Sequence, residues 1–552
     1  MINKIIKHPK LTIFFIFICL YILPLGIRPI IMPDETRYGE IPREMIANNN
    51  WVVPKLNGLD YFEKPVLGYW LVALSMKVFG ENAFAIRLPF ALSLGISAIF
   101  LLMLLSRFSQ DKETANWGGI IFITCLEVFA VGVFSVLDGT FALFLNGLMI
   151  SFFFAYKAVE KSREEKLWLV LSGVFCGLAF LTKGFLAFVL PVIIIIPFLF
   201  WEKNLKSSLK MIWLPLVSAI VVIMPWALLI QRQAPDFWHF FIWNEHIRRF
   251  LSTDAQHKAP LWYFLLVFPA GAIPWIFLLP AAIKGIKSNS KDISLFRYAV
   301  LWFAVPFLFF SLCKGKLATY ILPCFIPFTI IMAQGLRSYF AIGEKKSFSK
   351  GTYGLIGLLA VLLIALVAVQ LGWVKGKLYA YNQTALLAGF GLLSFIAMLI
   401  FSLKEIENQK KFYKFALAPV IFLVCAHFLV PDETICRKAP GAFLKSNLAL
   451  INAQTSIVSD DFSIRAVCWF LKRDDIYQLE SGGELMYGLQ LEKGKKRLLD
   501  LADFKQMITQ SSGKKQIALF ARSSTYDSWK PNLPKPLLEK RNQGNGFVFV
   551  LY

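Results

Sequence analysis

Runs of about 20 consecutive apolar residues, the length that crosses a hydrocarbon core, recur from one end of the chain almost to the other. They fall near Leu11–Ile27, Ala83–Leu105, Trp117–Val133, Phe141–Tyr156, Leu167–Leu181, Phe185–Trp201, Met211–Ile230, Trp262–Ile283, Tyr298–Cys313, Tyr320–Leu336, Tyr353–Val374, Thr384–Leu403 and Phe415–Val430. Read as spans, they predict about 13 transmembrane helices, the shorter runs borrowing flanking residues to complete a crossing. Composition agrees. Only 17% of the 552 residues are charged and 57% are hydrophobic, whereas a soluble protein carries about 25% charged residues to cover its wet surface. The first run has a basic N-terminal flank but no small-x-small cleavage site, so it is expected to remain as a helix.

The formal net charge of +23 would suggest nucleic acid in a soluble chain. Here much of it sits in short loops between apolar runs, as the positive-inside rule predicts, and no nucleic-acid motif accompanies it. Basic loops around residues 4–10, 107–112, 157–166, 203–210, 284–291, 337–350 and 404–414 alternate with the others. This places the N-terminus in the cytoplasm and, with an odd number of spans, the C-terminus outside, which in a bacterium is the periplasm. The opposite set of loops comprises Arg28–Asn82, the turn at Leu137-Asp138-Gly139, Thr182-Lys183-Gly184, Gln231–Pro260, Cys313–Thr319 and everything from Pro431. Every polar cluster able to do chemistry lies on that face.

Two parts of the outer face carry structure of their own. Thr36–Asn48, Val66–Phe79 and the aromatic stripe Phe237–Trp243 read as helices in the interface plane, with the aromatics as membrane anchors. The tail, 431–552, mixes charged runs with strand-like segments (Ser456–Val458, Gln516–Phe520, Gly546–Tyr552) and helix-like ones (Phe443–Ile451, Ala466–Leu471, Asp503–Ile508). At about 120 residues it can bury a core. The expected architecture is therefore an all-α polytopic membrane domain over 1–430, holding the loops 28–82 and 231–260, and a small soluble α/β domain over 431–552. Of eight cysteines, six lie in apolar runs as small core residues. Cys436 and Cys468 lie in the tail and could pair in an oxidising compartment.

The cations Arg37, Lys64, Arg249, Lys314 and Lys316 lie on the face that the charge rule discourages. Long loops escape that rule, but Lys314-Gly315-Lys316 sits between two spans only a few residues apart. Such a cluster points to a phosphate ligand, lysine acting as a point charge and arginine as a bidentate fork. Among the acids, Asp34 and Glu35 follow Pro33 at a helix start, where a first-turn carboxylate opposes the helix dipole. Asp138 lies at an Asp-Gly turn between apolar helices, and a carboxylate at that depth is a functional-site candidate. Asp34 and Asp138 together suggest an acidic pair for a cation or a protonated group. Glu63 and His246 could share a divalent metal, but two ligands do not make a site, and no cofactor is firmly implied. Together these residues describe a carboxylate-bearing phosphate site at the outer membrane boundary.

Several segments resemble those of the polytopic GT-C glycosyltransferases, and within them the lipid A 4-amino-4-deoxy-L-arabinose transferases. They are Pro-Asp-Glu-Thr-Arg-Tyr at 33–38, Arg-Glu-Met at 43–45, Tyr-Phe-Glu-Lys-Pro at 61–65, Leu-Asp at 137–138 and Thr-Lys-Gly-Phe-Leu-Ala at 182–187. They continue with Glu-His-Ile to Arg-Phe at 245–250, Asp-Ala-Gln-His at 254–257, Lys-Gly-Lys-Leu to Thr-Tyr-Ile-Leu at 314–322, and Arg-Asp-Asp-Ile to Tyr-Gly-Leu at 473–489. Ala318 stands where the family usually has proline, which should loosen that loop without removing a functional group.

The resemblance implies transfer of an aminopentose from undecaprenyl phosphate to a phosphate of lipid A, at the periplasmic face of a bacterial inner membrane, with resistance to polymyxin and cationic peptides as the outcome. It implies Asp34 and Asp138 as catalytic acids, with Lys64 beside them. Arg37, Lys64, Arg249 and Tyr320 would hold the donor phosphate, with Glu63, His246, Lys314 and Lys316 in support. A transferase of another polyprenyl-linked sugar, acting on lipid A or protein, is the neighbouring reading. A lipid-phosphate flippase or transporter is the reading from another class, although transporters tend to show paired halves and no internal repeat is visible here.

Overall fold

The computed structural model describes the chain except residues 1–5, 110, 206–211, 249–256, 289–292, 492–493 and 512–514, and the side chains of 246–248 and 287–288. Every apolar run identified in the sequence lies on helix. Among the described residues, eight helices are long and apolar enough to cross a membrane, and up to ten if each of two bent pairs is one span. The bent pairs are Lys112–Thr124 with Leu126–Gly132, at 62°, and Tyr263–Gly271 with Trp275–Ile286, at 94°. The expected 13 exceeds this count because several runs are short or broken. Pro9–Ile22 and Leu186–Trp201 are brief, Pro274 sits at the sharper bend, and Asn408–Ala426 opens on Lys410, Lys411 and Lys414. Proline breaks a helix because it lacks the amide and clashes with the preceding turn.

The first outer segment is organised by one buried carboxylate. Glu35, fully buried, accepts from Arg87 Nε and Nη2 at 2.7 Å each and from Arg28 Nη2 at 2.8 Å. It also accepts from the amides of Ile31, at 2.9 Å, and Ser135, at 3.3 Å. Arg87 donates onward to the carbonyls of Leu25, Arg28 and Pro29, and Arg28 to that of Val133. Glu35 is thus a first-turn acid of the Asp34–Ala47 helix, as its position after Pro33 suggests, but its partners are two arginines and a second loop. Burial opposes its ionisation, yet Arg28 and Arg87 hold its pKa below the ordinary carboxylate value.

Asp34–Ala47 forms the expected helix, and it is covered along almost its whole length. Residues Glu35, Thr36 and Tyr38 through Met45 are all buried, because the C-terminal part of the chain covers the helix. The Trp469 ring comes so near Gly39 that a Cβ there would sit 3.2 Å from it. Glu44 accepts from the amides of Asn57 and Gly58, at 2.6 and 2.9 Å. These two residues turn the hairpin β1 (Lys55–Leu56) to β2 (Leu59–Asp60) with φ of 57° and 69°, the left-handed pair that an Asn-Gly turn supplies. Leu67–Phe79 keeps one buried face and exposes Leu74, Val78 and Phe79, as a helix against lipid does. The aromatic stripe is helix at Phe237–His239 and π-helix over Phe240–Arg248. Phe237 and Phe241 are buried, with Phe237 edge-on to Phe62 at 5.2 Å, while Trp243 is exposed. The stripe therefore packs inward as much as it anchors.

Beyond Ser456 a six-stranded mixed sheet forms in the order β5-β4-β3-β6-β8-β7. The strands are β3 Ser456–Ser459, β4 Tyr477–Leu479, β5 Leu498–Leu499, β6 Ile517–Arg522, β7 Leu538–Arg541 and β8 Phe547–Leu551. The β3–β4, β3–β6 and β4–β5 pairs are parallel, and β8 runs antiparallel to both β6 and β7. The central strands β3, β6 and β8 are almost wholly buried. Cys468 is buried with its thiol 3.7 Å from Asn57 Oδ1, and both it and Cys436 are free thiols, so the disulfide considered from the sequence does not form. Asn57 locks the hairpin to the sheet by exchanging hydrogen bonds with the backbone of Ile476, at 2.8 and 2.9 Å.

Replacing Glu35 with Gln should strand two buried guanidinium groups and cost about 3–5 kcal/mol. Because the folded pKa of Glu35 is depressed, the native contribution is complete above the ordinary carboxylate value and is lost as pH falls through the lower folded one. Thermal unfolding in detergent checks both points: Glu35→Gln should melt earlier at neutral pH and lose part of the wild-type acid sensitivity.

Candidate functional site

The segment from 133 to 138 bridges the first outer loop and the bundle. Arg28 binds Val133 O, Glu35 binds the Ser135 amide, and Ser135 Oγ donates to Ile86 O at 3.1 Å. Leu137–Lys157 then begins, so Asp138 stands in a helix first turn rather than at a turn between helices. Nor is it isolated: Lys183 Nζ, from the end of Arg163–Lys183, approaches to 2.7 Å. The same ammonium lies 5.0 Å from the centre of the Tyr320 ring.

These groups line a cavity of about 380 Å³ that also takes in Lys64, Glu245, His257, Lys314, Lys316, Phe141 and Phe310. Its lining mixes these charged groups with Phe141, Phe309, Phe310, Leu186, Leu312 and Pro323. Lys64 donates to its neighbour's carbonyl, Glu63 O, at 2.8 Å and reaches Glu245 Oε2 at 3.4 Å. Lys316 is buried and spends its ammonium on the carbonyls of Ala259, at 3.0 Å, and Cys313. It therefore ties two outer loops together, a task reinforced by the Lys258–Gly315 bridge. Lys314 is exposed at the cavity and has no side-chain partner among the described residues. Of that basic pair, Lys314 is the one with charge to offer a ligand. Ala318 opens a 3-10 turn, Ala318–Cys324, that carries Tyr320.

Beside the cavity lies a second polar network centred on Arg37. Asp34, the first residue of its helix, accepts from Arg37 Nη2. Arg37 Nη1 donates to Glu484 Oε2 at 2.8 Å and lies 3.3 Å from the Tyr61 hydroxyl, which donates to Glu63 at 2.9 Å. Burial first, then the charges of Glu484 and Glu245, raises the pKa of Glu63 above the usual carboxylate value. The consecutive residues Glu63 and Lys64 join the two regions, one facing the network and the other the cavity. Burial raises the pKa of the Tyr38 phenol, and the carboxylates of Asp34 and Asp138 add to the rise. Each has its own cation, however, so they are not a bare acidic pair.

Of the residues singled out from the sequence, Lys64, Asp138, Tyr320, Lys314 and Lys316 meet at the cavity, and Asp34, Arg37 and Glu63 meet in the network. Arg249 and the His246 side chain fall outside the described residues, as do Asp254 to Gln256. Among the described residues no group of three or more His, Cys, Asp or Glu side chains could hold a metal ion; Glu63 is engaged by Tyr61 and faces Arg37 at 4.0 Å. Sequence reasoning passed over Lys183, Glu245, Arg465 and Glu484. Lys183 and Glu245 lie inside quoted motifs, and an outer-face lysine directly after a span was a usable signal. Arg465 and Glu484 have none, because nothing local distinguishes them from a solvated tail.

Residues 10–241 match the family model described as dolichyl-phosphate-mannose-protein mannosyltransferase, and residues 435–551 match the one described as arabinosyl transferase ArnT, C-terminal domain. The chain is 37% identical over 513 residues to the undecaprenyl phosphate-alpha-4-amino-4-deoxy-L-arabinose arabinosyl transferase of Erwinia tasmaniensis, covering 92% of each chain. It is also 37% identical over 540 residues to the protein of the same name from Shewanella sediminis, covering 97% of this chain and 96% of that one. The chain belongs to this arabinosyl transferase family. Its fold is shared with the crystal structure of ArnT from Cupriavidus metallidurans bound to undecaprenyl phosphate, at a TM-score of 0.83, 20% identity and coverage of 98% and 97%. An arabinosyl transferase of this family is a multi-span membrane glycosyltransferase, which accords with the cavity's position at the ends of the spans.

The Asp138–Lys183 pair is mostly buried, at 13% and 12% exposure, so Lys183→Met should strand the carboxylate and destabilise the protein by about 3–5 kcal/mol. Adding Asp138→Asn should recover much of that loss, a coupling readable from the melting temperatures of a double-mutant cycle.

Proposed function

We propose that this protein transfers 4-amino-4-deoxy-L-arabinose from undecaprenyl phosphate to a phosphate group of lipid A, at the periplasmic face of the inner membrane. The observation that carries the reading is the cavity with its neighbouring network. Cations and carboxylates are held there as ion pairs beside an apolar, lipid-accessible bundle, in a chain of the arabinosyl transferase family. We take residues 1–430 as the membrane-embedded catalytic unit, with its N-terminus in the cytoplasm, and 431–552 as a periplasmic α/β unit.

The chemistry follows from the charges of the reactants. A phosphate monoester has a second pKa of about 6, so the acceptor is largely ionised near pH 7 and attacks the anomeric carbon without a strong base. The harder event is departure of undecaprenyl phosphate, as negative charge grows on its oxygens. Lys64, Arg37, Lys314 and Arg249 supply compensating charge on that side, with Tyr320 as a hydrogen-bond donor. Lys316 and Glu63 with Tyr61 hold the surrounding loops, and His246 follows Glu245 in sequence on the same π-helix.

The donor carries an anionic phosphate and a cationic ammonium, and so does each resting ion pair of the site. When the phosphate engages Lys183 or Arg37, Asp138 or Asp34 is released to pair with the ammonium. No net charge is buried in that exchange, which keeps the desolvation cost low. The aminosugar is thereby oriented by the acids while its leaving group is held by the cations.

The deciding test is transfer in vitro from defined polyprenyl-phosphate sugars to lipid A, read as a pentosamine mass shift. Lys64→Ala should slow transfer by about 10²–10³-fold, the effect of removing one preorganised electrostatic partner. Asp34→Asn should lose most activity, and in a strain lacking this chain it should fail to restore either the lipid A shift or polymyxin resistance. Near-normal transfer by Asp34→Asn removes the orienting role, and an inert wild-type protein with this donor removes the reaction itself.

A further inference from the structure

The C-terminal sheet reaches back into the polar network through one short turn. Glu484 lies in Gly483–Leu485, between β4 and the Met486–Gln490 helix. The turn is held on both sides. Gln478 Nε2 donates to Gly482 O at 3.2 Å, and Tyr487 packs on Phe62 and Phe240 at 5.1 and 4.5 Å. Gly488 rests so closely on β2 that a Cβ would come 2.8 Å from that of Leu59. The Glu484 carboxylate bridges two arginines, Arg37 at 2.8 Å and Arg465 at 2.7 Å, and lies 3.1 Å from the Tyr61 hydroxyl.

Arg37 therefore has two carboxylate arms that differ in how easily they open. The Asp34 arm joins residues one helical turn apart, and its carboxylate is 36% exposed, so water and salt screen it. The Glu484 arm ends on a carboxylate that is 21% exposed and that Arg465, itself 6% exposed, also holds, so it is less screened, and Glu484 cannot turn away from Arg37 without leaving that second guanidinium buried and unpaired. An incoming phosphate should displace the weaker arm. The guanidinium Nε is buried with no hydrogen-bond partner among the described residues, so a donor edge is in hand for the exchange.

We propose that Glu484 is a positioning residue for transfer: with Arg465 it anchors Arg37, so that the donor phosphate takes the place of Asp34 on the guanidinium and leaves Asp34 free for the sugar. This rests on the reading of Arg37 as a donor-phosphate ligand. The soluble part of the chain is then a component of the reaction centre and not only a cover for it. Without the anchor, phosphate draws Arg37 away or leaves Asp34 locked to it. Binding changes little in either case, but the reacting groups lose their alignment.

The test uses the full chain in detergent, with initial rates on the polyprenyl-phosphate aminopentose and lipid A, and binding measured separately with undecaprenyl phosphate. Glu484→Gln keeps the shape and the hydrogen-bonding oxygen while removing the charge. Its kcat should fall about tenfold or more while the undecaprenyl phosphate Kd moves less than about threefold, and Glu484→Gln with Arg37→Lys should be no slower than Arg37→Lys alone. A purely structural contact would lower the melting temperature while leaving kcat per folded molecule within about twofold of wild type, and that result overturns the proposal. If Glu484→Gln does not fold, Arg465→Lys, which keeps the charge but loses the fork, carries the same expectation and the same failure criterion. Arg37→Ala should weaken undecaprenyl phosphate binding by about tenfold or more. If it binds as wild type, the phosphate reading fails and the proposal with it. If only the Glu484 and Arg465 variants are silent, the phosphate reading stands and the anchor is lost.

Discussion

The buried contact between Glu35 and the guanidinium groups of Arg28 and Arg87 ties together parts of the chain that lie far apart in sequence. One carboxylate gathers the end of the first helix, the start of Asp34–Ala47, the helix bearing Arg87 and the backbone before Leu137. Asp34 and Asp138 each sit within three residues of a group in that cluster. An ion cluster buried behind them thus fixes where both their helices begin. Buried charge of this kind is weak evidence for stability, since an apolar replacement can be as stable. Its value here is geometric, because an apolar cluster would not fix the direction in which two loops leave it.

The site itself is built from paired charges. Asp34 with Arg37, Asp138 with Lys183 and Lys64 near Glu245 each present a cation and an anion. A cavity lined with unpaired lysines would attract phosphate strongly but would resist closing over it, and one lined with unpaired acids would repel the donor. Pairing lets a zwitterionic ligand enter by exchange. Counting cations on the outer face misjudged individual members: Lys316 looked as available as Lys314, and the structure buries it against carbonyls.

Much of this was legible in the residues. Apolar runs marked the helices because lipid imposes one length and one chemistry, and three of the basic residues that defied the charge rule, Lys64, Lys314 and Lys316, line one cavity. Asp-Glu after Pro33 correctly indicated a helix start. What escaped was everything decided by distant contact. The amphipathic sequence of the Asp34–Ala47 helix revealed a helix, but only the C-terminal cover makes its polar face an interior one. Strand β7, Leu-Glu-Lys-Arg, carries the charges typical of an edge and so lacks the apolar alternation that revealed β6 and β8. Glu484 is separated from Arg37 by 447 positions, and no local pattern connects them.

The Asn57-Gly58 hairpin has a consequence in time. Its hydrogen-bond partners beside the sheet, Ile476 and Arg497, are translated long after the hairpin itself. At about 5–20 residues per second the ribosome needs roughly 20–90 s to travel from Arg37 to Glu484. Through that interval the first loop has its cations present but its last wall missing. A truncated or stalled chain would insert its helices and yet hold no finished centre, so completion of synthesis itself licenses the enzyme.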